Sequence, residues 1–263
     1  MLIDIGVNLT SKRFEKDAHQ VIERALQSGV GKMIITGTTI AESQRALDLS
    51  AHFPTVLYST AGIHPHHASE FSADSLAKLT CLLAEDTVLA VGECGLDFNR
   101  NFSEPAAQRV CFEAQLQLAV ENQLPVFLHQ RDAHQDFVDI LSGYIDQLPA
   151  AVAHCFTGTQ AELQCYLEMG LYIGITGWIC DERRGQELKA IVNQIPLDKL
   201  MVETDAPYLL PRDIKPKPKS NRNEPAFLPH ICHTIARSYQ CSYELIEQSS
   251  YTNTVDFFQI KTG

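Results

Sequence analysis

Eight short runs of apolar and β-branched residues recur along the chain and alternate with segments of helical periodicity. The runs span residues 2–7, 32–36, 56–61, 88–93, 126–129, 151–154, 171–175 and 200–205. Helical periodicity marks, among others, residues 16–27, 40–51, 105–122, 133–145, 160–169 and 184–193. This alternation predicts a parallel sheet. The runs do not alternate apolar with polar residues, as expected for strands that are covered on both faces.

The number of runs, the chain length of 263 residues and the strand–helix alternation together predict an α/β fold, a (β/α)8 TIM barrel. A doubly wound open sheet is the structural alternative. With 45% hydrophobic residues, we expect one large core and a single domain over residues 1–263. No run approaches the roughly 18 apolar residues of a membrane span, and no basic leader opens the chain, so we expect a cytoplasmic protein.

The charge balance limits how this chain can bind a polyanion. Its formal net charge of -11 argues against broad electrostatic adhesion to nucleic acid, which needs a basic surface that releases counterions. Any polyanion is therefore expected to be bound at a local site, by a divalent cation and by a few of the arginines near the mouth of the barrel. The candidates are Arg131, Arg183, Arg184, Arg212 and Arg222.

Four of the apolar runs end in a residue that can bind a metal ion: Glu93, His129, His154 and Asp205. In a barrel all strands open at one face, so residues far apart in sequence converge there. Imidazole and carboxylate ligands suit a catalytic divalent ion, whereas closed structural zinc sites more often use several thiolates. Each residue alone is weak evidence for a site, but the coincidence of four predicts a metal-dependent hydrolase.

Within this predicted site we assign catalytic roles to Asp205 and Glu93. A divalent cation would activate water and offset charge that develops on oxygen, and Asp205 is expected to take the water's proton. Glu203 lies two residues earlier, on the same side of the strand, and is expected to support the ligands from deeper in the barrel. His64, in the loop after the third run, is a candidate for metal or phosphate binding.

Two further residues allow more than one interpretation. Asp97 follows Glu93 closely and would either touch substrate or cap a turn. Trp178, the only tryptophan, follows the seventh run, where its indole would either stack on a base or pack in the protein. The sequence contains no Walker-type phosphate loop, no dinucleotide fingerprint and no GxSxG elbow, which excludes the usual ATPase, dehydrogenase and serine hydrolase readings.

Taken together, these blocks resemble the TatD-type metal-dependent deoxyribonucleases, within the amidohydrolase-like barrels. The resemblance spans nearly the whole chain: DIGVNL at 4–9, GIHPH at 62–66, GECGLD at 92–97, HQR at 129–131, HCFTG at 154–158, ETDAPY at 203–208 and RNEP at 222–225. It implies a magnesium-dependent 3′–5′ exonuclease acting on 3′ ends of single-stranded DNA or RNA, with a role in DNA repair.

The resemblance also assigns site residues. The family's metal ligands fall on Glu93, His129, His154 and Asp205, the four that the ends of the runs select. The substrate-binding positions that we expect are His64, Asn223 and Arg131.

The chain departs from the wider family at the end of its first run. A His-x-His pair is common there, and this chain has Gly6 and Asn8. Glycine offers no ligand and an amide oxygen is a weak, neutral one. We therefore expect one firmly held ion and a weak second site. Magnesium is the expected metal, with manganese and zinc as alternatives.

Two other functions are consistent with the sequence. The same barrel and ligands could hydrolyse a small ester, lactone or amide, or the ester of an aminoacyl-tRNA. The chain could also be a binding or scaffold protein whose activity has decayed, although four retained ligand-type residues argue against that. We expect no obligate protein partner and a monomer.

Overall fold

The computed structural model describes residues 1–261. Eight parallel strands follow one another in chain order within one sheet: β1 (Leu2–Val7), β2 (Val30–Ile35), β3 (Leu57–Ala61), β4 (Val88–Asp97), β5 (Val126–Arg131), β6 (Ala151–Ala153), β7 (Tyr172–Ile175) and β8 (Leu200–Val202). Val7 also forms a parallel bridge with Ala206, just beyond β8. The first strand therefore lies beside the end of the last, which confirms the predicted (β/α)8 barrel.

The helices lie between and after the strands: α1 (Ala18–Gln27), α2 (Ile40–Ala51), α3 (Ala73–Leu83), α4 (Pro105–Asn122), α5 (His134–Ser142), α6 (Gln160–Glu168), α7 (Gln186–Ile191), α8 (Leu228–Tyr239) and α9 (Tyr243–Phe258). Local signals set several boundaries. The side chain of Thr39 caps α2 by accepting the N–H of Glu42, and Pro105 occupies the first turn of α4. None of the described helices is long and apolar enough to span a membrane.

The chain forms two compact units. The central unit comprises Ile35–His154 and Glu168–Tyr172, and the terminal unit comprises Met1–Ile34, Cys155–Leu167 and the chain from Ile173 onward. In the central unit, β3, β4, β5 and β6 pair in parallel. In the terminal unit, β7 pairs with β8. One domain over residues 1–263 stays a prediction.

The strand ends differ from the sequence-based boundaries in a way that matters for the site. β4 runs on to Asp97 and β5 to Arg131, so Glu93 and His129 lie within strands. β6 stops at Ala153 and β8 at Val202, so His154 and Asp205 follow their strands. The expectation that each ligand is the last residue of its strand was therefore wrong, because sheet pairing and not the apolar run decides where a strand ends.

Candidate active site

Glu93 is the centre of a cluster of histidines in the central unit. Its Oε1 atom lies 3.0 Å from Nδ1 of His129, 2.9 Å from Nε2 of His154 and 3.3 Å from Nε2 of His64. All four residues are buried or largely buried. Ligand atoms of His64, Glu93 and His129 lie close enough together to hold a metal ion, and imidazole beside carboxylate is a donor set that suits a divalent cation.

A β-bulge turns Glu93 toward these histidines. Opposite β5, Gly92 pairs with Phe127 and Cys94 pairs with Leu128, so Glu93 has no partner residue in the ladder. Such a bulge bends the strand and re-aims a side chain. Gly95 permits the close approach of β5, because a Cβ atom there would lie 1.9 Å from the carbonyl oxygen of His129. Its φ of +140° also lies in a region that glycine tolerates best.

A hydrogen bond from the backbone fixes the tautomer of neutral His64. Its Nδ1 accepts the N–H of His66 at 3.0 Å, at the start of a 3-10 turn that spans Pro65–Glu70. When the ring is neutral, the proton must therefore lie on Nε2, the atom that faces Glu93. His64 lies close enough to Glu93 to count among metal ligands by distance, but in this tautomer its Nε2 is a hydrogen-bond donor.

His129 lies between two carboxylates. Its Nδ1 faces Glu93, and its Nε2 lies 3.4 Å from Oδ2 of Asp97. The second contact lacks hydrogen-bond alignment, so in the described part of the chain this buried nitrogen has no hydrogen-bond partner. Buried polar atoms rarely remain unsatisfied, and a bound water or ion is one usual explanation. The cluster therefore fits a bound cation.

His66 is not among the residues that the sequence predicts for the site. The structure shows it half-buried, with Nε2 2.8 Å from Oδ2 of Asp97 and its ring 4.2 Å from that of His64. Asp97 also accepts the N–H groups of Asn99 and Arg100 through Oδ1. Asp97 therefore caps the turn after β4 and also holds His66. In the sequence, only the close spacing of the histidines at positions 64 and 66 could have indicated that His66 belongs to the cluster.

Electrostatics in the cluster favour an ionised carboxylate beside imidazoles. Burial alone would raise the pKa of Glu93, but the charges and hydrogen bonds of the histidines outweigh it and hold that pKa well below its usual range. Burial lowers the pKa of His64 to about 4, although Glu93 opposes the shift. Burial also opposes protonation of His129, yet its interactions with the carboxylates of Asp97 and Glu93 leave its pKa raised.

Asp205 belongs to the terminal unit, three residues beyond β8. Its Oδ1 accepts a hydrogen bond from Nδ2 of Asn8 at 3.0 Å, and its own N–H donates to the carbonyl of Gly6 at 2.9 Å. The backbone of Asp205 is left-handed, with φ of +53°, and Pro207 follows it closely. The two positions at which this chain departs from the wider family thus hold the Asp205 segment in place.

The neighbours of Asp205 are tightly bound within the same unit. Glu203 is fully buried, and its Oε1 accepts the N–H of Cys155 at 2.6 Å. Asn223 is also fully buried: its Nδ2 donates to the carbonyl of Thr204 and its Oδ1 accepts the N–H of Glu224. Asn223 is thus bound to the backbone through both its oxygen and its nitrogen, and its contact with substrate stays a prediction. Arg131, at the end of β5, is exposed.

Residues 3–259 match the family described as TatD related DNase. The chain belongs to the TatD-related DNase family. The resemblance that the sequence motifs indicated is thereby confirmed. Because metal dependence is implied by that family as well as by the histidine–carboxylate cluster, we conclude that the chain depends on a divalent metal.

Named relatives of this TatD-family chain are similar over most of their length. A protein of Erwinia tasmaniensis named 3′-5′ ssDNA/RNA exonuclease TatD is 58% identical over 235 residues, covering 89% of this chain and 91% of its own. A protein of Yersinia pseudotuberculosis with the same name is 54% identical over 259 residues, covering 98% of this chain and all of its own.

Among solved structures, a TatD homologue of Escherichia coli has the same fold as this family member. It superimposes with a TM-score of 0.89 at 28% identity, covering 99% of this chain and 98% of its own. The barrel predicted from the strand–helix alternation is thus also the fold of a solved TatD homologue.

Proposed function

We propose that this chain is a metal-dependent 3′–5′ exonuclease that hydrolyses phosphodiester bonds of single-stranded DNA or RNA. The observation that carries the proposal is the convergence of three imidazoles on Oε1 of Glu93 in a chain of the TatD-related DNase family. The similarity to proteins named 3′-5′ ssDNA/RNA exonuclease TatD supplies the polarity and the substrate.

Glu93, His129 and His154 are the residues that would hold the metal firmly. A bound divalent cation supplies positive charge that activates water and offsets the charge developing on phosphate oxygens. We infer magnesium as the metal used in catalysis, with manganese and zinc as the alternatives that imidazole donors also accept. A weak second site remains a prediction, based on Gly6 and Asn8.

His64 is suited to a different task from that of its neighbours. Its Nδ1 is occupied by the N–H of His66, so the neutral ring carries its donor on Nε2, which lies 3.3 Å from Oε1 of Glu93. A donor of this kind binds a phosphate oxygen of the substrate more readily than a cation. Arg131 is proposed as a second substrate contact, since it is exposed and lies two residues past His129.

Asp205 is proposed as the fourth metal ligand and as the base that accepts a proton from water. The hydrogen bond from Asn8 fixes one of its oxygens in orientation. Glu203 and Asn223 support the segment through their bonds to backbone groups. A role in DNA repair, a cytoplasmic location and a monomeric state stay predictions.

The test is digestion of labelled single strands by the full chain after metal removal and re-addition. With added magnesium, a 3′-labelled strand should release labelled mononucleotides at once, and a 5′-labelled strand should shorten stepwise. His154→Ala should lose both activity and bound metal, whereas His52→Ala, at an exposed histidine, should retain both. Hydrolysis of small esters or lactones in the absence of any strand digestion would refute the exonuclease assignment.

A further inference from the structure

A cavity of about 340 Å³ lies in the terminal unit, between the segments that follow β7 and β8. Its lining includes Trp178, Arg184, Leu209, Arg212, Lys217 and Asn221. None of the histidines of the metal cluster belongs to this lining. The volume falls within the roughly 300–1,000 Å³ of sites that hold small organic ligands.

The loop that carries Trp178 is firmly held. The side chain of Thr176 accepts the N–H of Trp178 at 3.3 Å. A Cβ atom on Gly177 would lie 2.2 Å from the carbonyl oxygen of Leu209, and one on Gly185 would lie 2.2 Å from the carbonyl oxygen of Trp178. Backbone atoms are thus packed against both glycines. Because these glycines flank Trp178, the packing holds the half-buried indole in one orientation.

A buried carboxylate organises the cations around the indole. Oδ2 of Asp181 accepts a hydrogen bond from Nε of Arg184 at 2.9 Å, and its Oδ1 lies 3.6 Å from Nε of Arg212. The guanidinium carbon of Arg184 lies 4.3 Å from the centre of the Trp178 ring. The guanidinium therefore covers one face of the indole, and a planar base can add a further layer to this stack.

The segment that forms one wall of the cavity is basic in an otherwise acidic chain. Residues 211–222 carry five basic side chains and one acidic side chain, although the whole protein has a net charge of -11. The basic residues are Arg212, Lys215, Lys217, Lys219 and Arg222. Arg222 is engaged by Asp17 and Glu224, while Lys217 is exposed at the cavity. A local basic wall attracts a polyanion that the rest of the surface repels.

We propose that this cavity binds one nucleotide of the single strand, with its base stacked on the Trp178–Arg184 pair and its phosphate beside Arg212 and Lys217. The inference rests on the exonuclease function proposed above and adds a binding site for the strand. The segment from Leu209 to Asn221 follows Asp205 after only three residues, so the same loop carries a proposed catalytic carboxylate and the wall of this cavity. Aromatic stacking tolerates every base, which suits an enzyme that removes nucleotides in succession.

The sole tryptophan makes the stacking directly observable. With EDTA present to prevent cleavage, the full chain is titrated with an oligothymidylate and with an abasic strand of the same length. Stacking predicts that the oligothymidylate quenches the fluorescence of Trp178 and that the abasic strand, which has phosphates but no bases, does not. Equal quenching by both strands, or quenching by neither, would overturn the proposal.

Substitutions separate stacking from phosphate binding. Trp178→Ala should weaken binding of the strand on the order of tenfold, and Trp178→Phe should restore most of it because phenylalanine still stacks. Lys217→Ala should lower the slope of log Kd against log salt by about 0.7, the value for one phosphate contact on a single strand. Lys78→Ala, at an exposed lysine on α3, should leave the slope unchanged. Loss of binding in Trp178→Phe as large as in Trp178→Ala would point to a structural role and refute stacking.

Activity separates this proposal from the one on which it rests. Trp178→Ala is expected to raise KM for a long strand while leaving kcat close to that of the parent protein, because the metal cluster is untouched. If the parent protein digests no single strand, the exonuclease function fails. If it digests strands and Trp178→Ala leaves KM unchanged, only the nucleotide site fails.

Discussion

Asp4 provides a sharp test of how burial shapes the charge state of this protein. The residue lies on β1 with no exposed surface, and its Oδ1 accepts the N–H groups of Thr204 and Gly6 at 2.9 and 3.3 Å. Its Oδ2 lies 2.5 Å from the hydroxyl oxygen of Thr204. Burial raises the pKa of Asp4 to about 8, and the charge of Glu203 adds to the shift, whereas the hydrogen bonds from Thr204 oppose it.

The sign of the effect on stability follows from proton binding. Between the ordinary value of 3.8 and the raised value of about 8, the folded protein holds a proton on Asp4 that the unfolded chain has released. The proton on Asp4 therefore stabilises the fold fully below pH 4. Above that pH, its contribution to the free energy of unfolding falls by about 1.4 kcal/mol per pH unit. The loss sums to roughly 5–6 kcal/mol and levels off above pH 8.

Asp4→Asn should remove this dependence. Asparagine offers the same oxygen to the two N–H groups, and its amide N–H can face the Thr204 hydroxyl as the protonated acid does. The assay is urea unfolding of the full chain from pH 5 to 8.5, with EDTA present so that metal binding contributes nothing. Relative to the parent protein, Asp4→Asn should gain stability steadily as pH rises.

The matched control is Asp86→Asn, at an exposed aspartate before β4, which should run parallel to the parent protein at every pH. Cys232 on α8 also interacts electrostatically with Asp4, so Cys232→Ala serves as a second background for the same comparison. If Asp4→Asn and the parent protein show parallel curves from pH 5 to 8.5, Asp4 ionises normally in the fold and the reasoning is wrong.

Three further substitutions test the site and its support. Glu93→Gln should lower the affinity for metal by more than the roughly 10–100-fold that is lost when a residue hydrogen-bonded to a metal ligand is substituted. Metal analysis after dialysis measures this, and retention of metal would contradict the assignment of Glu93 as a ligand. Asp205→Asn keeps an oxygen for Asn8 and should abolish strand digestion while metal stays bound, whereas continued digestion would exclude Asp205 as the base. Gly95→Ala places a Cβ atom against the carbonyl of His129 and should cost about 2 kcal/mol or more in urea unfolding, and an unchanged midpoint would show that β4 and β5 can separate.

The sequence by itself determined the elements that depend on local pattern. Helices α2 and α4 begin and end at the predicted residues, because apolar spacing, an N-capping threonine and an N-terminal proline are all written in the local sequence. The parallel barrel followed from the repetition of strand and helix. The candidate ligands followed from one rule, that chemistry in such folds gathers where strands end.

Only the tertiary structure decided how the side chains of the site are used. Glu93 faces the histidines because β4 bulges against β5, and pairing between strands cannot be read from one strand's residues. His66 and Asp97 join the cluster through a contact across 31 positions, and Asn223 is committed to the backbone of Thr204. The proton of His64 is placed by the N–H of His66. The sequence shows which ligand-type side chains exist. Their burial and the direction of their hydrogen bonds depend on the surrounding backbone, and these two properties decide whether a side chain can bind metal, substrate or another part of the chain.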